Sequence, residues 1–140
     1  MQRLMFCIAL SLVVISPVIA DVRILSSPGG TVGPYLDFFS QLRKSGQRVV
    51  IDEPCLSACT LVLSTIPRSR ICVTRRAVLG FHAPQLADRS GRKFRSRDAT
   101  RAVAASYPAA VQAWIRRKGG LTQKIIYLRG NELAALYRRC

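Results

Sequence analysis

From Val22 onward, short β-branched runs alternate with segments whose apolar residues recur at helical spacing. That alternation constrains the fold more than any other feature, because strand–helix–strand order builds βαβ units around a mainly parallel sheet. Val22 to Ser26 reads as a strand and stops at Ser27-Pro28-Gly29-Gly30, a loop signature. Leu36, Phe39 and Leu42 then mark a helix over Pro34 to Ser45, with Gly46 placed where a helix end needs positive φ. Val49-Val50-Ile51 is a buried-strand candidate, and Ser57 to Ile66, small and apolar, suits a core helix. Ile71 to Val73 and Ala77 to Phe81 read as two more strands, Ala87 to Arg97 as an exposed basic loop. Asp98 to Lys118 predicts a helix interrupted near Pro108, and a last helix runs from Asn131 or Glu132 to Arg139 with no strand after it.

Ahead of this lies a different texture. Arg3 precedes an uncharged apolar run of 12 residues, Leu4 to Ile15, and Pro17-Val18-Ile19-Ala20 ends in a small residue. This is the pattern of a cleaved signal peptide over residues 1–20. The other reading, a membrane anchor, needs about 20 apolar residues. The expected product is one α/β domain over residues 21–140, periplasmic or secreted, with no spanning segment of its own.

Export changes how the cysteines read. Cys55, Cys59, Cys72 and Cys140 remain after cleavage, and an even count in an oxidising compartment favours disulfides over thiols. Four cysteines allow three pairings, of which Cys55–Cys59 with Cys72–Cys140 is preferred here. Their spacing does not repeat and the chain has a single histidine, so no metal site and no cofactor is expected. The charge is lopsided: 22 basic against 7 acidic side chains give a net +15, or +14 once Arg3 is removed. Such a field attracts an anionic surface or polymer. No nucleic-acid motif or series of stacking aromatics accompanies it, which argues against a specific nucleic-acid partner. The oligomeric state is left open.

Two loops carry the residues with chemistry. Paired glycines in Ser27-Pro28-Gly29-Gly30-Thr31 let a backbone approach a ligand with its amides free. In Cys55-Leu56-Ser57-Ala58-Cys59, a serine between a strand and a helix has its hydroxyl lifted clear of the sheet, and the next amide faces any negative charge that develops there. His82, directly after Val78-Leu79-Gly80-Phe81, falls at a strand end, where sites form in open α/β sheets.

These residues resemble the ClpP/crotonase superfamily, to which the proteolytic subunit of Clp protease belongs. The matching elements are Ser27-Pro28-Gly29-Gly30, Leu56-Ser57-Ala58 and Phe81-His82-Ala83-Pro84, with 25 residues from Ser57 to His82. The similarity covers Val22 to Pro84 and returns more weakly at Tyr127 to Leu133. It implies Ser57 as nucleophile, His82 as base and the amides of Gly30 and Ala58 as oxyanion hole, acting on a peptide or ester. The family's orienting aspartate is missing: Thr122-Gln123-Lys124-Ile125-Ile126 holds no acid at the matching place. A Ser–His pair alone, Asp88 reaching in from the basic loop, or a silent module that only binds anionic or peptide partners are the three outcomes this leaves.

Overall fold

The computed structural model describes residues 20–140, so the expected leader lies outside the described residues except for Ala20. The domain is mixed α/β. Strands β1 (Val22–Ile24), β2 (Val49–Ile51) and β4 (Ile71–Val73) form a parallel sheet in the order β1-β2-β4, with Val22 beside Val49 and Val49 beside Ile71. Both β2 and β4 are buried along their whole length, as continuous Val/Ile runs in a parallel sheet should be. Helix α1 (Val32–Ser45) joins β1 to β2 and sends Phe39 and Leu42 into the core, while Leu36, the third residue of the apolar stripe, stays 38% exposed. Gly46 ends the helix at φ 76°, behind Arg43 and Lys44 in the last turn.

Instead of one small sheet, the described residues build two of three strands and a separate hairpin. The second sheet runs β3 (Pro54–Leu56), β5 (Val78–Phe81), β8 (Ile126–Arg129), with β3 parallel and β8 antiparallel to β5. The two sheets meet at Ser27, whose amide donates to Pro54 O at 2.8 Å and whose carbonyl accepts from Leu56 N at 2.9 Å. The expected core helix from Ser57 is a 3₁₀ turn over Ser57–Leu61 that passes into a short α2 (Val62–Thr65). The expected basic loop is mostly the exposed antiparallel hairpin β6 (Gln85–Ala87) and β7 (Lys93–Arg95).

Pro108 breaks the following segment into α3 (Arg97–Ser106) and α4 (Ala109–Arg117), with Ser96 Oγ capping α3 by accepting from Ala99 N at 3.2 Å. Helix α5 (Gly130–Leu136) is shorter than expected. Tyr137 leaves it in extended conformation, and Arg139 pairs in parallel with Val73 as a further strand-like edge beside β4. The core gathers Phe39, Phe81, Tyr107 and Trp114, with Phe81 edge-on to Tyr107 at 5.2 Å between ring centroids. Each such side chain contributes about 1.5–3 kcal/mol by leaving water.

Cys55 is bonded to Cys59 and Cys72 to Cys140, the preferred pairing. No helix among the described residues is long and apolar enough to cross a membrane.

Candidate active site

Among the described residues, Ser57 is the only one other than glycine with positive φ, at 55°. Left-handed backbone costs an L-residue about 1–2 kcal/mol, so neighbouring groups must hold it there. Three restraints are visible. Cys55 and Cys59 bracket the serine and are joined, both almost without exposure. Thr60 Oγ1 donates to Ser57 O at 2.7 Å. Having spent its single proton there, Thr60 accepts from Tyr107 OH, also at 2.7 Å. Burial pushes the Tyr107 phenol up to about 12, against the opposing pull of the Thr60 hydrogen bond, so it stays protonated and donating at neutral pH. A pair of variants isolates the backbone cost. Ser57→Gly and Ser57→Ala both lose the hydroxyl, but the glycine variant is expected to be more stable by about 1 kcal/mol in urea denaturation. Equal midpoints would mean that the elbow is unstrained.

The second strand pair explains how residues 25 apart in sequence meet. Leu56 lies beside Gly80 across the parallel pair of β3 and β5, so both strands finish at the same edge. Ser57 follows one strand and His82 the other, and Ser57 Oγ lies 2.8 Å from His82 Nε2. The far nitrogen, Nδ1, lies 2.8 Å from the Ala83 carbonyl. A carbonyl only accepts, so Nδ1 carries the ring proton; in the neutral ring Nε2 is then the acceptor and the Ser57 hydroxyl donates to it. This is the tautomer a general base requires. Ala83 is itself held by a 2.7 Å hydrogen bond from its amide to Thr122 O.

The glycine loop closes on the same point. Gly29 takes φ 85°, and a Cβ there would fall 2.5 Å from both Leu56 O and Ser57 Cβ, so only glycine lets the loop lie against the elbow. Gly30 and Ala58 line one cavity of about 610 Å³ together with Ser57 and His82. Ala58 is the second residue of the 3₁₀ turn, where the first amides have no carbonyl partner within the turn. Such an amide is available to an oxygen that gains negative charge beside Ser57.

Asp88 does not stand behind the histidine. Its Oδ1 accepts from Ser90 N, Ser90 Oγ and Arg92 N, and its Oδ2 pairs with Arg92 Nε at 3.1 Å. The Ser90 hydroxyl above all holds the carboxyl below its usual range. Asp88-Arg89-Ser90-Gly91 is turn chemistry, and the hairpin uses it fully. The one carboxylate buried among the described residues, Asp52, is equally committed. Thr74 Oγ1 donates to it at 2.8 Å, and Arg23 and Arg76 pair with it at 2.8 and 2.7 Å. Its acidity is strengthened first by the Thr74 hydrogen bond, then by Arg23 and Arg76, against the cost of burial. Sequence reasoning missed three contributors to the site: Thr60, Tyr107 and the Ala83 carbonyl. Among the described residues, no three of His, Cys, Asp and Glu gather as a metal site would need. No family model and no curated protein sequence matches the chain.

Proposed function

We propose that this is an exported serine hydrolase, periplasmic or secreted, similar to the ClpP/crotonase superfamily and acting on a peptide or ester. The observation that carries the reading is the 2.8 Å contact from Ser57 Oγ to His82 Nε2 at a serine held at φ 55°. As Ser57 Oγ attacks the acyl carbon, its proton passes to Nε2, a C–Oγ bond forms and the carbonyl oxygen becomes an oxyanion beside the amides of Gly30 and Ala58. Collapse expels the alcohol or amine, which takes the proton from His82, and water then releases the acid by the same steps in reverse order. The Ala83 carbonyl does one part of an aspartate's work, holding the ring and its tautomer. It lacks the full negative charge that stabilises an imidazolium, so turnover should be slow for a serine hydrolase.

A second reading is a silent module that only binds, and the neutral group behind His82 is what favours it. A fluorophosphonate probe separates the two. The folded protein is expected to take up one probe per chain, at Ser57 by peptide mapping, and Ser57→Ala to take up none. Folded protein that stays unlabelled removes the hydrolase and leaves the binding module.

A further inference from the structure

Beside the Ser57–His82 pair lies a rim of four cations, three of them without a counter-charge among the described residues. In β7, Lys93 and Arg95 share one face because side chains alternate along a strand, and Phe94 takes the other. Lys93 lines the cavity that holds Ser57 and His82. Arg95, Arg97 and Arg101 line a second cavity of about 600 Å³. The two meet at His82-Ala83-Pro84: the outer two residues line the first cavity and Ala83 lines the second. A substrate extending from Ser57 past Pro84 therefore passes from Lys93 toward the arginines.

No acidic side chain lines either cavity. Arg101 is paired with Asp98, but among the described residues Lys93, Arg95 and Arg97 make neither an ion pair nor a side-chain hydrogen bond. Three acids outside the two cavities pair with other cations: Asp52 with Arg23 and Arg76, Asp88 with Arg92, and Glu132 with Lys118. Three of the rim's four cations are left without a carboxylate partner, and they lie where a bound substrate would run. Guanidinium groups match a carboxylate with two parallel hydrogen bonds, a geometry that a merely solvated arginine does not exploit.

We infer that the site selects substrates carrying a free carboxylate on the arm that runs past Pro84, gripped by Arg95 and Arg97 with Lys93 along the way. This rests on the hydrolase reading for its chemistry, and on these cations for its selectivity. It applies to acidic peptides and to half-esters of dicarboxylic acids alike.

The test compares hydrolysis of mono-4-nitrophenyl suberate with that of 4-nitrophenyl octanoate, which has no carboxylate. At low salt kcat/KM is expected to favour the suberate by about tenfold. The ratio should shrink in 1 M salt, where screening reaches about 3 Å. It should fall to near one in Arg95→Ala/Arg97→Ala and recover in part in Arg95→Lys/Arg97→Lys. Because it is a ratio, a general loss of activity in a variant cancels. Short peptides with and without glutamate near the cleavage point then tell peptide from half-ester. Equal turnover of both esters, abolished by Ser57→Ala, overturns the selectivity and leaves the hydrolase standing. If neither ester is turned over, the hydrolase falls, and titrating Ser57→Ala protein with monomethyl suberate decides the rim: salt-sensitive binding lost in the double alanine variant upholds it, and no binding overturns it.

Discussion

His82→Ala is expected to slow acylation of Ser57 by about 10²–10⁴-fold, the usual worth of a positioned general base. Among the described residues, the Ser57 hydroxyl has one hydrogen-bond partner, Nε2 at 2.8 Å. Without it the proton must leave to water, and the elbow alone cannot make an alkoxide. The fold should survive, because His82 is only half-buried at the end of β5 and its own hydrogen bonds are to Ser57 and Ala83. The rate of fluorophosphonate labelling reads acylation directly, and thermal melting reports the fold. A purely structural role for the ring predicts that added imidazole does nothing, whereas a catalytic one predicts partial recovery of the rate. Labelling at the wild-type rate in a folded His82→Ala protein would show that the histidine is not the base.

The second large effect concerns stability. Cys72 and Cys140 are 68 residues apart, and a cross-link of that span removes enough freedom from the unfolded chain to stabilise the native state by about 4 kcal/mol. Total stabilities of domains this size are about 5–15 kcal/mol, so the bond carries a large share. Replacing both cysteines by serine is expected to lower the melting temperature by about 15 °C under non-reducing conditions. The loss has a local meaning too. Val73 N donates to Arg138 O at 3.0 Å and Cys140 N to Val73 O at 3.2 Å, so the cross-link also holds the chain's last residues against β4. The Ser57–His82 pair belongs to the other sheet, and labelling of Ser57 well below the new melting point should persist. An unchanged melting temperature would show that those hydrogen bonds and packing suffice without the cross-link. The Cys55–Cys59 bond closes a far shorter loop and is worth about 2 kcal/mol on the same reasoning.

Where sequence reading stopped short, the cause was physical each time. Ile125 to Leu128 is an apolar and aromatic run of only four residues between Lys124 and Arg129, too short for alternation to announce the strand Ile126–Arg129. Arg138 and Arg139 are good helix formers, yet the helix ends at Leu136 because pairing with Val73 and the Cys72–Cys140 bond draw the chain out straight. The group behind His82 is a backbone carbonyl, which every residue possesses, so no side-chain pattern could announce it. Thr60 and Tyr107 are 47 residues apart, and only folding of α3 and α4 over the 3₁₀ turn joins them. Asp88 misled for the opposite reason: an acid near the histidine in sequence was already consumed by its own turn.

What the residues alone determined was local. Strand and helix runs set the α/β character, paired glycines made a loop that can approach closely, and a serine and a histidine each followed a short strand. Parity of the cysteines and the expected leader made cross-links the natural expectation. Tertiary structure decided everything that depends on register between distant segments: that β3 and β5 end side by side so Ser57 and His82 touch, that a carbonyl and not a carboxylate orients the ring, and that three uncompensated cations line the approach. The reason is that spacing along a chain constrains only neighbours. Contacts between segments are chosen by which buried faces and hydrogen bonds close together, and that choice is made by the whole core at once.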